Sequence, residues 1–188
     1  MKVLFLGYED SPLIHFIKSF GDSVTHDLKE DADFLISYGY AKILKREELE
    51  RFKDRAINLH ISYLPWNRGS DPNLWSFIDD TPKGVTIHLM DERLDTGNIL
   101  AQREVFIPRD ATLKISYAIL RGEIEHLFRD HWSKIRLGLV IPTPQKGNGS
   151  YHRSKDKEPM MKYLTRGWDT PVQELKNMLR NSDETATG

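Results

Sequence analysis

Asn58 and His60 stand two positions apart in the short apolar run Ala56–His60. The run reads as a β-strand. Alternate side chains on a strand point to one face, so the amide and the imidazole project together. A neutral imidazole moves protons near neutral pH. An amide N–H can hold a developing oxyanion, and losing one such donor typically costs about 3 kcal/mol of transition-state stabilisation. Asp95, in the turn Leu94-Asp95-Thr96-Gly97, returns from a later strand. It can orient or charge the histidine, or relay protons through water. Together the three form the tool set of acyl transfer to an amine: the amine loses a proton, the carbonyl oxygen is held, and no covalent intermediate is required. The chain has no cysteine and no Gly-x-Ser-x-Gly elbow, so nothing marks a covalent acyl-enzyme. Each residue alone has an ordinary structural explanation, since strand-end histidines and Asp-Thr-Gly turns are common. Only the set, taken in order, points to chemistry.

The surrounding elements must bring these side chains together. Lys2–Gly7 reads as a buried first strand. Asp10 and Ser11 are helix N-cap types, with Pro12 in the first turn and Leu13, Ile17 and Phe20 at helical spacing before Gly21. The loop Gly7-Tyr8-Glu9-Asp10 is not Gly-x-Gly-x-x-Gly, which argues against a dinucleotide site. Strands follow at residues 23–26 and Phe34–Tyr38, a loop at 39–44, a helix at 46–52, and then Ala56–His60. Strands alternating with helices predict a mostly parallel sheet, which carries its functional residues beyond the strands' carboxyl ends. Further on, the pattern predicts a helix at 72–77 anchored by Leu74, Trp75 and Phe77, and strands at 84–90 and 99–107. A long helix follows, capped by Asp110, with Leu113, Tyr117, Leu120, Ile124, Leu127 and Phe128 on one face. From Pro142 prolines and glycines break regular structure, and residues 142–166 hold six Lys/Arg against two acids. The division expected is a catalytic domain over 1–141 and an extension over 142–188 that packs back on it. Within the extension a helix is predicted at 171–179 and a frayed tail at 181–188.

Composition narrows the class. The 188 residues suit one main domain, and 39% apolar with 29% charged residues is globular with a well-solvated surface. A net charge of −1 gives no global pull toward nucleic acid or a membrane. No apolar run is long enough to span a bilayer, so a cytoplasmic protein is expected. No metal site is expected either, since His126 and His131 lie five apart, off the spacing that ligands on one helix face need.

Taken together, Asn58-x-His60-x-Ser62-x-Leu64-Pro65, Arg68-Gly69, Pro72, Trp75, Gly84-Val85-Thr86-Ile87-His88 and Leu94-Asp95-Thr96-Gly97 resemble the 10-formyltetrahydrofolate-dependent formyltransferases. The likeness is close over residues 34–107 and looser elsewhere. It implies a reduced formyltransferase fold, α/β and Rossmann-like, with 10-formyltetrahydrofolate as formyl donor and no metal. It also implies that Asn58 binds the formyl oxygen and the oxyanion, that His60 stabilises the oxyanion and assists proton transfer, and that Asp95 holds His60 and accepts protons by way of water. Two loops would dock the pterin, one containing Ala41, Ile43 and Leu44 and the other Asp91 and Leu94.

The segment 69–75 and Thr86-Ile87-His88 most resemble the sugar-nucleotide N-formyltransferases, whose acceptor is an amine on a nucleotide-linked deoxysugar. Arg68 and Gly69 are then candidates to meet the acceptor, with Arg68 alternatively supporting its own loop. Only 57 residues precede Asn58, fewer than the family's usual pattern, so one strand–helix unit is expected to be absent. The basic arm residues Lys146, His152, Arg153, Lys155 and Lys157 could meet an acceptor phosphate or the folate glutamates, or form a solvated face. The same triad also fits formyltetrahydrofolate deformylase, glycinamide ribonucleotide transformylase or a silent folate-binding module. The sequence leaves a homodimer open.

Overall fold

The structure, a computed structural model, describes residues 1–186. Its central sheet has six strands: β1 (Lys2–Gly7), β2 (Ser23–Thr25), β3 (Phe34–Tyr38), β4 (Ala56–His60), β6 (Gly84–Leu89) and β7 (Ile99–Glu104). They lie in the order β2-β1-β3-β4-β6-β7. The first four pair in parallel, whereas β6 runs antiparallel to both β4 and β7. The sheet is therefore mostly parallel, in an α/β fold, as the alternating pattern predicts.

Strand periodicity divides the core between the two faces. Val3, Phe5, Ile36, Ile57, Leu59, Val85 and Ile87 point to one face and pack under α1 (Pro12–Lys18) and α4 (Leu113–Ile135). Leu4, Leu6, Leu35 and Ala56 point to the other, under Leu44, Leu49 and Phe52 from the region of α2 (Arg46–Glu50). Asn58 and His60 share the parity of Ala56, so they open onto the α2 face. A third cluster joins Leu74 and Phe77 of α3 (Pro72–Ile78) to Leu113, Leu164 and the terminal helix α5 (Val172–Ala186) through Val172 and Leu175.

Several boundaries differ from expectation. Ser11 caps α1, its Oγ accepting from the Leu13 amide, but the helix stops at Lys18 and leaves Phe20 partly exposed. The strand expected at 99–107 ends at Glu104, before the Pro108 that cannot donate to a ladder. Thr112, rather than Asp110, caps α4 by accepting from the Ile115 amide. The terminal helix runs past Leu179 to Ala186, so the fraying expected at 181–186 is replaced by helix; residues 187–188 lie outside the described residues. Among the described residues no helix is long and apolar enough to cross a membrane.

The chain after α4 returns along the sheet. Thr143 bridges Ile99 of β7. A two-residue strand β5 (Arg68–Gly69) then pairs in parallel with β8 (Tyr151–His152). His152 stacks on Trp75 at 3.8 Å with an interplanar angle of 3°, and its Nε2 lies 2.7 Å from Asp79. A 3₁₀ stretch, Ser154–Tyr163, completes the arm.

Candidate active site

The antiparallel register of β4 and β6 sets Asn58 opposite His88 and His60 opposite Thr86. All four side chains therefore share one face of adjacent strands, where directly opposed Cβ atoms lie about 5 Å apart. Asp95 reaches in from the turn after β6. Its backbone is left-handed at φ 56°, two residues before Gly97. A Cβ on Gly97 would sit 1.8 Å from the Leu89 carbonyl oxygen, so only glycine lets the turn close this tightly on β6.

The Asp95 carboxylate is the hub. Asn58 Nδ2 donates to Oδ1 at 2.9 Å, and the Gly69 amide donates to Oδ2 at 2.8 Å. His88 Nε2 lies 3.3 Å from Oδ1, and His60 Nδ1 lies 3.7 Å from Oδ2. Asp95, His60 and His88 are all buried. Burial pushes the Asp95 carboxyl up, but the charge that His60 and His88 carry when protonated, together with the Gly69 amide, outweighs it, and the group is held well below the usual carboxylate range.

The tautomer of His60 follows from its other nitrogen. Nε2 lies 3.0 Å from the Asn67 carbonyl oxygen, which only accepts, so Nε2 carries a proton. Nδ1 of the neutral ring is then a free base facing the site. Burial pushes the His60 pKa down, against the pull of the Asp95 charge, so the ring is neutral at pH 7. His88 Nδ1 likewise donates to the Leu89 carbonyl at 2.7 Å, leaving Nε2 toward Asn58. Asn58 Nδ2 thus spends one hydrogen on Asp95 and aims the other at His88 Nε2 across 3.3 Å. That second contact is long for a hydrogen bond. It is the hydrogen an incoming oxyanion can take at least cost.

The site opens into a cavity of about 740 Å³ lined by Asn58, His60, Gly69, His88 and Asp95. The residues expected to dock a pterin also line it: Ala41, Ile43 and Leu44 after β3, and Asp91 and Leu94 after β6. Ile43 and Leu94 expose apolar side chains at its mouth, while Leu44 is buried. An apolar slot with two exposed lips suits a flat heterocycle with an apolar body. Asp91 is occupied in its own turn, accepting from Thr96 Oγ1 at 2.6 and 2.8 Å and from the Arg93 amide. Arg68 does not line the cavity. Its Nε and Nη2 donate to Gln145 Oε1 at 3.1 and 2.8 Å, which is the loop-supporting geometry. Of the basic arm residues, Arg153 and Lys157 line the cavity; Lys146, His152 and Lys155 do not.

Gln145 escaped the sequence reading. Its Nε2 donates to the carbonyls of Asp95 and Gly97 at 2.8 and 2.9 Å while its Oε1 receives Arg68. One side chain therefore ties the Asp95 turn to β5, the strand whose Gly69 amide grips the same aspartate. A lone glutamine between Pro144 and Lys146 carries no sequence signal for this role.

A buried carboxylate hub, a neutral histidine and an amide with one loosely held hydrogen meet at the carboxyl edge of an α/β sheet, an arrangement chemically able to assist acyl transfer. The sequence pattern of the formyl transferase family matches residues 19–129, and the chain belongs to that family. It is 33% identical over 176 residues to a methionyl-tRNA formyltransferase of Thermodesulfovibrio yellowstonii, a match covering 91% of this chain. It spans about half the length of such relatives, 55% in that case. A crystal structure of the formyltransferase PseJ from Anoxybacillus kamchatkensis is 53% identical, with a TM-score of 0.89. The match covers 93% of this chain and 97% of that one. That protein was crystallised with UDP-4,6-dideoxy-4-formamido-L-AltNAc and tetrahydrofolate. A sugar N-formyltransferase from Shewanella, 23% identical with a TM-score of 0.75, shares the fold.

Proposed function

We propose that this protein transfers a formyl group from 10-formyltetrahydrofolate to a primary amine on a nucleotide-linked deoxy amino sugar. The observation that carries the reading is the meeting of Asn58, His60 and Asp95 inside one cavity of about 740 Å³. The 53% identity to PseJ, over nearly all of that chain, supports a UDP-linked 4-amino-4,6-dideoxy sugar as acceptor.

The folate supplies the formyl group: the amine nitrogen bonds to the formyl carbon, the bond from that carbon to N10 breaks, and the proton that His60 takes from the amine passes to N10 of the departing tetrahydrofolate. Leu44, Ile43 and Leu94 offer an apolar slot for its ring system, and the turn at 91–95 faces that slot. Asn58 gives the hydrogen now aimed at His88 to the formyl oxygen as negative charge develops there. His60 takes the amine's proton on Nδ1, the nitrogen left free by the Asn67 contact. The imidazolium so formed faces Asp95 Oδ2 across 3.7 Å, and the carboxylate stabilises it without being protonated. Asp95 has a second task, because its Oδ1 fixes the Asn58 amide. A single carboxylate thus aligns the base and the oxyanion donor.

The test is incubation with 10-formyltetrahydrofolate and a panel of nucleotide-linked amino sugars, scored by the gain of one formyl group on the acceptor. Transfer to a UDP-linked 4-amino sugar is the expected result. Formate release with no acceptor present would move the assignment to a deformylase, and absence of both reactions despite folate binding would mean a silent module.

A further inference from the structure

His60 stands between two groups that favour its proton on opposite nitrogens. The Asp95 carboxylate, with Oδ2 3.7 Å from Nδ1, favours a hydrogen on Nδ1. The Asn67 carbonyl, 3.0 Å from Nε2, favours it there. A neutral ring carries one proton. On Nδ1 that proton would leave the ring with no lone pair toward Asp95 and the site, and the buried Asn67 carbonyl would meet a bare nitrogen. The aspartate contact is longer than a hydrogen bond and the carbonyl contact is not, so Nε2 keeps the proton. The outcome depends on where the Asn67 carbonyl is held.

Asn67 is held on all sides. It is fully buried, with left-handed backbone at φ 57°, a conformation that asparagine adopts more readily than most side chains. Its amide donates to Ser150 Oγ at 2.8 Å, and that hydroxyl donates back to Asn67 Oδ1 at 3.2 Å. Its Nδ2 donates to Thr81 Oγ1 at 2.8 Å. The carbonyl is the polar atom left over, and it meets His60.

Both anchors are fixed in turn. Ser150 donates its amide to the Pro65 carbonyl at 3.2 Å and accepts on its own carbonyl from the Arg68 amide at 3.0 Å. Gly149 before it packs so closely that a Cβ would lie 2.0 Å from the Pro65 oxygen. Thr81 is buried; its amide donates to the Ser76 carbonyl at 3.1 Å, and its carbonyl accepts from Lys83 Nζ at 2.7 Å. Asn67, Thr81 and Ser150 do not line the cavity of the active site.

We propose, on the reading of His60 as the group that takes the amine's proton, that Asn67, Thr81 and Ser150 are positioning residues that select the His60 tautomer against the pull of Asp95. Asp95 alone would place the proton on the nitrogen that must receive one. Thr81 and Ser150 lie 14 and 83 residues from Asn67, so the base is set by the turn after α3 and by the arm.

Hydrogen–nitrogen NMR of ring-labelled histidine tests this, because it tells a protonated ring nitrogen from a bare one. The His60 signal is assigned as the one missing from His60→Asn. In wild type near neutral pH the proton is expected on Nε2. Thr81→Val keeps the shape of the side chain and removes the acceptor. Asn67→Gly keeps the carbonyl, allows the left-handed backbone and removes the anchored side chain. In both, the proton is expected to spread to Nδ1. Steady-state kcat should fall by about tenfold, with KM for folate and acceptor within about twofold, since the cavity lining is untouched. Thr81→Ser restores the hydroxyl and is expected to restore the tautomer and the rate. A wild type with the proton on Nδ1 would overturn the proposal, and that measurement stands even where a variant fails to fold. Folded variants whose tautomer matches wild type would overturn it too. The two readings fail separately. A tautomer that responds as expected, in a protein that transfers no formyl group, refutes the activity and keeps the positioning role. A rate that falls with the tautomer unchanged refutes the positioning role and keeps the activity.

Discussion

Replacing Gln145 by methionine keeps the side chain's length and removes its polar atoms. Three partners are lost together: the Asp95 carbonyl, the Gly97 carbonyl and the Arg68 guanidinium. A neutral hydrogen bond contributes about 1 kcal/mol net, so the two carbonyl contacts hold the turn by about 2 kcal/mol. Asp95 sits at φ 56°, a conformation that costs a non-glycine residue on the order of 1–3 kcal/mol. The hold and the strain are comparable, so the turn relaxes once Gln145 is gone. Two kilocalories in the barrier correspond to roughly a thirtyfold loss of kcat. The assay is steady-state formyl transfer under saturating folate and acceptor, beside a urea melt. The expected result is kcat down by about thirtyfold, with the acceptor KM changed by less than about threefold, because the cavity lining is intact. Gln145→Glu keeps an acceptor for Arg68 and loses the two donated bonds, so it should share the defect. A kcat within about twofold of wild type in both variants would show that Asp95 is held by Gly69 and Asn58 alone.

Further outcomes follow from the same geometry. On the proposed mechanism Asn58→Ala removes the oxyanion donor and should lower kcat by about 10²–10³ with the fold retained, checked by circular dichroism and turnover together. His60 is buried with its pKa below the unfolded value of about 6.5, so the unfolded chain binds more protons just below that pH. Its contribution to stability is complete above about pH 6.5 and is lost as pH falls; His60→Asn should flatten this part of a urea-midpoint profile, and an unchanged profile would contradict it. Gly97→Ala drives a Cβ into the Leu89 carbonyl and displaces the turn that lines the folate slot, so it should abolish turnover and weaken tetrahydrofolate binding together, measured by rate and calorimetry. Asp22 is buried beneath Arg136, which donates to it at 3.1 and 2.6 Å, so Asp22→Ala should cost on the order of 3 kcal/mol in a denaturant melt.

Local patterns in the sequence carried much of this architecture. Alternation in β4 put Asn58 and His60 on one face, and strand–helix alternation foretold a sheet with its site at the carboxyl edge. What stayed hidden depends on partners remote in the chain. The Asn58–His88 pair exists because β6 runs antiparallel to β4, which no strand announces by composition. Gln145 meets Asp95 across fifty residues, and its neighbours reveal nothing of that. Thr112 displaced Asp110 as a cap because the helix start is fixed by the docking of Leu113 under α3 and α5, a tertiary constraint. The tail read as frayed is helical beyond an anchor that a short window underweights, Val172 and Leu175 in the third core cluster.

The β5–β8 ribbon has a consequence in time as well as in space. The Gly69 amide that grips Asp95 belongs to a strand paired, among the described residues, with residues 151 and 152 alone, and the turn it grips is tied down by residue 145. A chain emerging from the ribosome therefore contains the residues of all six strands, and Asn58, His60 and Asp95, before the residues of those supports are made.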